Sequence, residues 1–161
     1  MGGQNHSSRI CHVCISVCTD LDTAPLYGVG ESERITGLAL SGGFREKVTL
    51  ATKCGDPMPD YVRGEKPYSR QGVLNSVEHS LKLLNTKTID VLLIHDPYKN
   101  ELEQALSPGG LMEGMRELKQ QGAIAKCHAA QSRCALSLTA LVALHRDCQA
   151  FRNGRAGERA H

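Results

Sequence analysis

Ile89-Asp90-Val91-Leu92-Leu93-Ile94 runs almost without a polar break into His95. Near-continuous apolar character over so short a length suits a parallel strand covered on both faces. Upstream, Val48-Thr49-Leu50-Ala51-Thr52 reads the same way and ends at Lys53. A weaker third run ends at Asp22, and Tyr27 follows shortly after it. Downstream, Ala123 to Lys126 reads as the start of one more strand. Strand ends recur at intervals of about 30 to 40 residues, the length of a βα unit.

The intervals hold helices. Gly30 to Leu40 is expected to be helical and closed by Gly42-Gly43, with Glu31 and Glu33 in the first turn, where a carboxylate favours the helix dipole. Ser69 caps a helix reaching about Leu84, with Val73, Val77, Leu81 and Leu84 as its core stripe. Glu101 to Leu106 suggests a short helical turn. Leu111 to Gln121 follows, with Leu111, Met112, Met115 and Leu118 inward and Gly122 as the stop. Between Cys54 and Pro67 lies a loop rich in Gly and Pro, on the same rim as Lys53.

If the strands are parallel, Asp22, Tyr27, Lys53 and His95 meet on one rim. That rim is where α/β barrels place their chemistry. Each residue taken singly has a plainer reading: Asp22 as a turn residue before Pro25, Tyr27 as packing, Lys53 as a solvated strand end, His95 as a turn histidine. Their common position at successive strand ends favours the joint reading as a proton-transfer set.

The words around these residues resemble the aldo-keto reductase superfamily. They are Asp22-Thr23-Ala24-Pro25-Leu26-Tyr27-Gly28 with Ser32-Glu33, then Ala51-Thr52-Lys53, then Ile94-His95-Asp96-Pro97. From His95 to Gly122 the chain is most similar to aldose and L-fucose or L-galactose dehydrogenases, through His95-Asp96-Pro97-Tyr98, Glu103-Gln104-Ala105-Leu106-Ser107-Pro108-Gly109-Gly110 and Leu118-Lys119-Gln120-Gln121-Gly122-Ala123-Ile124. The likeness spans about Asp22 to Lys126, roughly two thirds of the chain. It implies a (β/α)8 TIM barrel, NADP or NAD as cofactor, and hydride transfer between nicotinamide and the carbonyl or alcohol of an aldose or small aldehyde. By the same resemblance Asp22, Tyr27, Lys53 and His95 are catalytic. No residue is assigned to the cofactor.

The residue types suit that reaction. Hydride transfer to a carbonyl leaves an alkoxide that needs a proton. A phenol can supply it, but its reference pKa is near 10. Shifting it toward neutrality takes about 3–4 kcal/mol, and a neighbouring ammonium can provide this. Lys53 is the ammonium and Asp22 holds it charged and aimed. His95 would hydrogen-bond the substrate oxygen or relay the proton.

A complete barrel needs roughly 250 residues, against 161 here. The expected fold is therefore a partial α/β barrel: about four parallel strands alternating with helices, plus a divergent C-terminal helix. Its parts are a divergent segment at 1–20, a reductase-like half-barrel at 21–126 and a divergent tail at 127–161. Ala135 to Leu144 can form the amphipathic tail helix, and Arg152 to His161 reads as disordered. The abrupt change after Lys126 suggests truncation, frameshift or alternative splicing. In the family, most dinucleotide contacts come from the second half of the barrel, which weighs against cofactor binding and turnover. The alternative is an inactive shortened isoform that binds or regulates a full-length reductase. Open sheet edges invite self-association.

Composition narrows the partners. A formal charge of +2 gives no sign of nucleic-acid or membrane binding. No apolar run of ~18 residues is present. His6 to Cys18 is too polar for a secretory signal, which favours the cytoplasm. Of the seven cysteines, Cys11, Cys14 and Cys18 with His12 offer zinc ligands, but no paired second half follows, so no metal is expected. Gly28-Val29-Gly30 is read as a turn rather than a phosphate loop, and no G-x-G-x-x-G occurs.

Overall fold

The structure, a computed structural model, describes residues 19–56 and 67–129. The N-terminal strand at Ile10 to Val17, most of the Gly/Pro loop, the zinc-like cysteines, the tail helix and the tail's disorder lie outside the described residues. Four strands form one sheet in the order β1 (Asp20–Asp22), β2 (Thr49–Cys54), β3 (Ile89–Ile94), β4 (Ile124–Ala129). Every neighbouring pair is parallel. Sequential parallel strands with helical crossovers are the repeating unit of a (β/α) barrel, of which this sheet is a part.

Helix α1 (Glu31–Ala39) follows β1, and α2 (Arg70–Leu83) joins β2 to β3. Between β3 and β4 come α3 (Lys99–Leu106) and α4 (Leu111–Gln120). Ser69 starts α2 as its sequence suggests: its side chain accepts from the Gly72 amide at 3.0 Å. The expected turn at Glu101 is a helix of 8 residues. It forms because Glu101 reaches back to accept from the Tyr98 amide at 2.7 Å, half of a capping box.

Leu50, Leu92, Ile94, Val73, Val77, Leu84, Leu111 and Met115 are fully buried in one core between sheet and helices. Burying each such side chain is worth about 1.5–3 kcal/mol. The sheet's other face differs from the sequence expectation. Val91 and Leu93 remain partly exposed there, while Leu92 and Ile94 on the helix side are fully buried.

Glu33 lies in the first turn of α1, as its sequence suggests, but it points inward. It is fully buried and accepts a 2.7 Å hydrogen bond from the Thr52 hydroxyl of β2. The i, i+3 geometry of the helix turns Glu33 toward the sheet while Glu31 pairs with Arg34 outside. Arg45 closes the opposite end of the sheet, reaching the Val48 and Thr88 carbonyls and the Asp90 carboxylate at 3.2, 2.9 and 2.8 Å.

Candidate active site

Register brings the strand-end residues together. Asp22 lies opposite Ala51, and Lys53 opposite Leu93. Side chains alternate between faces along a strand. Thr52 faces α1, so Lys53 faces the other way, as does Asp22.

Lys53 is almost wholly buried, at 6% exposure. Its Nζ donates to both Asp22 carboxylate oxygens, at 3.0 and 2.9 Å, and to the Thr23 carbonyl at 2.9 Å. Three acceptors match the three protons of an ammonium. A buried charge is tolerated only when paired and hydrogen-bonded, and this one is both. Thr23 was not apparent as a site residue from sequence; it contributes a backbone oxygen, which any residue type could.

Tyr27 is 43% exposed on the rim. The Lys53 ammonium lies over its ring, 4.9 Å from the centroid. The lysine's strong hydrogen bonds thus go to Asp22 and Thr23, and it meets the tyrosine through the ring face. His95 meets the same ring edge-on, with centroids 5.8 Å apart and planes at 85°. All four residues expected from sequence therefore converge on one side of the sheet.

A fifth group joins them. The His95 Nδ1 lies 2.8 Å from Asp56 Oδ2, and both side chains are nearly buried, at 10% and 8% exposure. The His95 amide donates to the Cys54 carbonyl at 2.9 Å, extending the β2–β3 ladder past its last pair. Gly55 then turns the chain with φ +95°, a conformation side chains resist, and a Cβ there would come within 3.0 Å of the Tyr68 ring. Asp56 lies two residues beyond a strand that ends beside the His95 strand. That adjacency is the only signal that could have pointed to it.

Cys54, next to Lys53 in sequence, is no nucleophile: burial pushes its thiol well above the usual range. Among the described residues no group of three or more His, Cys, Asp or Glu is arranged to hold a metal ion. None of their helices is long and apolar enough to cross a membrane.

The turn at Gly28-Val29-Gly30 carries three successive positive φ angles, 63°, 54° and 85°. Three consecutive amides there are already used: Val29, Gly30 and Glu31 donate to the Leu26, Pro25 and Gly28 carbonyls at 3.4, 2.8 and 3.2 Å. This turn therefore does not present the free amides of a phosphate cradle.

Comparison with known proteins agrees with this geometry. A model described as the aldo/keto reductase family matches residues 16–129. An uncharacterized oxidoreductase, YcsN, of Bacillus subtilis is 37% identical over 113 residues, covering 66% of this chain and 36% of the relative. A D-threo-aldose 1-dehydrogenase of Pseudomonas is 32% identical over 105 residues, covering 53% of this chain and 32% of the relative. The chain thus spans about a third of the length of these curated relatives. Among solved structures, aldo-keto reductase AKR11C1 of Bacillus halodurans, in its holo form, superposes with a TM-score of 0.64 and 29% identity over 76% of this chain and 40% of its own. An aldo-keto reductase of Klebsiella pneumoniae in complex with NADPH gives 0.62 and 25% identity, over 89% of this chain and 46% of its own. With the family model matching 16–129 and the parallel strands forming part of a barrel, the chain belongs to the aldo/keto reductase family.

Proposed function

We propose that this chain carries the proton-transfer half of an NAD(P)-dependent oxidoreductase interconverting the carbonyl and alcohol of an aldose or small aldehyde. The observation that carries the reading is the buried Lys53 ammonium, held by Asp22 and set against the ring of an exposed tyrosine. Bound nicotinamide would supply or accept the hydride. In reduction, the Tyr27 hydroxyl gives its proton to the substrate oxygen, and the Lys53 charge stabilises the phenolate left behind. Asp22 keeps that charge compensated and fixed in place. In oxidation, the phenolate takes the alcohol proton back. Family membership supports this reaction class. The likeness to D-threo-aldose 1-dehydrogenase supports an aldose, and the NADPH complex of the Klebsiella relative supports NADP as the nucleotide.

The test is calorimetric titration of NADPH and NADH into the purified chain, then turnover with aldoses and small aldehydes. Saturable binding would support the reading. Turnover should fall at least ~100-fold in Tyr27→Phe, a typical loss for one acid–base group. A folded chain that binds neither nucleotide would overturn the reading.

A second reading is favoured by the apolar surface beside Tyr27, where Leu26 and Val29 are 49% and 62% exposed. On that reading the chain binds a full-length reductase and does no chemistry itself. Nucleotide-independent co-elution with such an enzyme, lost on Leu26→Asp, is the outcome that would favour it.

A further inference from the structure

Asp56 lies outside the four residues to which the reaction was assigned, yet its carboxylate has the shortest polar contact that His95 makes among the described residues, 2.8 Å to Nδ1. We propose that Asp56 is a positioning residue that fixes the His95 ring by accepting the Nδ1 proton. The catalytic meaning of this role rests on the proton-transfer reading above; the structural arrangement does not.

Three features place Asp56 where it can act in this way. Both side chains are nearly buried, so water competes little for either partner. Gly55 makes the left-handed turn that brings the carboxylate back over the neighbouring strand end. Behind Gly55 the Tyr68 ring is itself tied down, its hydroxyl donating to Glu101 Oε2 at 3.3 Å. Glu101 in turn holds the start of α3 through the Tyr98 amide. The turn that carries Asp56 is thus backed by Tyr68, whose hydroxyl is anchored on α3 through Glu101.

The chemical consequence is specific. A neutral imidazole has one proton and one lone pair on its two nitrogens. If Nδ1–H is given to Asp56, the lone pair is on Nε2. Neutral His95 then accepts a hydrogen bond at Nε2 and cannot donate one there. Donation to a carbonyl oxygen requires the imidazolium, whose positive charge would face the Asp56 carboxylate. The carboxylate therefore decides how the neutral ring meets the substrate oxygen: with Nδ1–H given to Asp56, Nε2 can accept from an alcohol hydroxyl, while only the imidazolium donates there to a carbonyl. The electron pair of the reaction is untouched by this step; only the proton's place on the ring is set.

The experiment is a long-range proton–nitrogen NMR spectrum of the full chain labelled with nitrogen-15 histidine, at a pH where the ring is neutral. The His95 signal is identified by its loss in His95→Gln. The expected wild-type pattern has the proton on Nδ1. In Asp56→Ala the proton should shift wholly or partly to Nε2, while Asp56→Asn, whose amide oxygen can still accept, should retain the Nδ1 proton. A wild-type ring protonated on Nε2, or an unchanged pattern in folded Asp56→Ala, would refute the proposal. Should Asp56→Ala not fold, the wild-type pattern decides. The spectrum needs no cofactor or substrate, so a chain that binds no nucleotide counts against the proposed function and not against this role.

Discussion

Single residues carry two consequences that can be measured away from the site chemistry. Glu33 and the nearby Ser80 are both fully buried. Burial raises the Glu33 carboxyl above the usual range, with the Thr52 hydrogen bond opposing it in part. A carboxyl raised in the folded state stabilises below its unfolded pKa, near 4.3, and that contribution is lost as pH rises through the folded value. Glu33→Gln removes the titration while keeping an acceptor for Thr52. The melting temperature of wild type minus that of the variant should therefore decline as pH is raised from 4 to about 8; a flat difference would show that Glu33 is not held neutral by its burial. Val29 is the second case: an exposed β-branched residue at φ 54°. Left-handed backbone is costly for such residues and tolerated by asparagine. Val29→Asn should stabilise by about 1 kcal/mol in denaturant titration, and destabilisation would be the contrary result. From sequence, Asp22, Tyr27, Lys53 and His95 were legible because each sits at or just past the end of an apolar run. Asp56 and Glu33 were not, because their meaning depends on a neighbour, 39 and 19 residues away respectively, that only strand pairing and helix docking bring close.

Among the elements, the helices are pinned by small residues. At Gly114 of α4 an added Cβ would strike the Val73 side chain and come within 2.7 Å of the Arg70 carbonyl, both in α2. At Gly37 of α1 it would meet the Leu84 backbone at 2.7 Å, just past α2. Close approach lets α2 sit between its neighbours and over the sheet. Overpacking of this kind costs about 1–3 kcal/mol. Gly114→Ala is expected to lower the melting temperature by at least ~4 °C, with no change in the melting temperature being the adverse outcome. The helix and strand ranges were readable to within a few residues because caps, apolar periodicity and glycine stops are local signals. The length of α3 was not, since its first turn depends on the Glu101 carboxylate reaching back to Tyr98 and also accepting from Tyr68, well upstream.

For the molecule as a whole, β1 and β4 are the edges of the sheet among the described residues. Parallel edges offer unpaired backbone groups to another chain. Sedimentation velocity over a range of concentrations should show mass rising with concentration; a strictly monomeric species throughout would argue against association through these edges. The partial exposure of Val91 and Leu93 in β3 belongs to the same scale. Apolar runs announced a strand that could be buried on both faces, but how much of each face is covered depends on what else packs there. The amino-acid sequence by itself determined the alternation of parallel strands with helices, the likeness to the aldo-keto reductases and the four rim residues, because periodicity, caps and strand-end motifs are written in neighbouring positions. Only the tertiary structure decided that Lys53 is buried and triply bonded, that Glu33 points into the core and that Asp56 meets His95. Those facts arise from strand register and helix docking, which bring together residues far apart in the chain and remove water from between them.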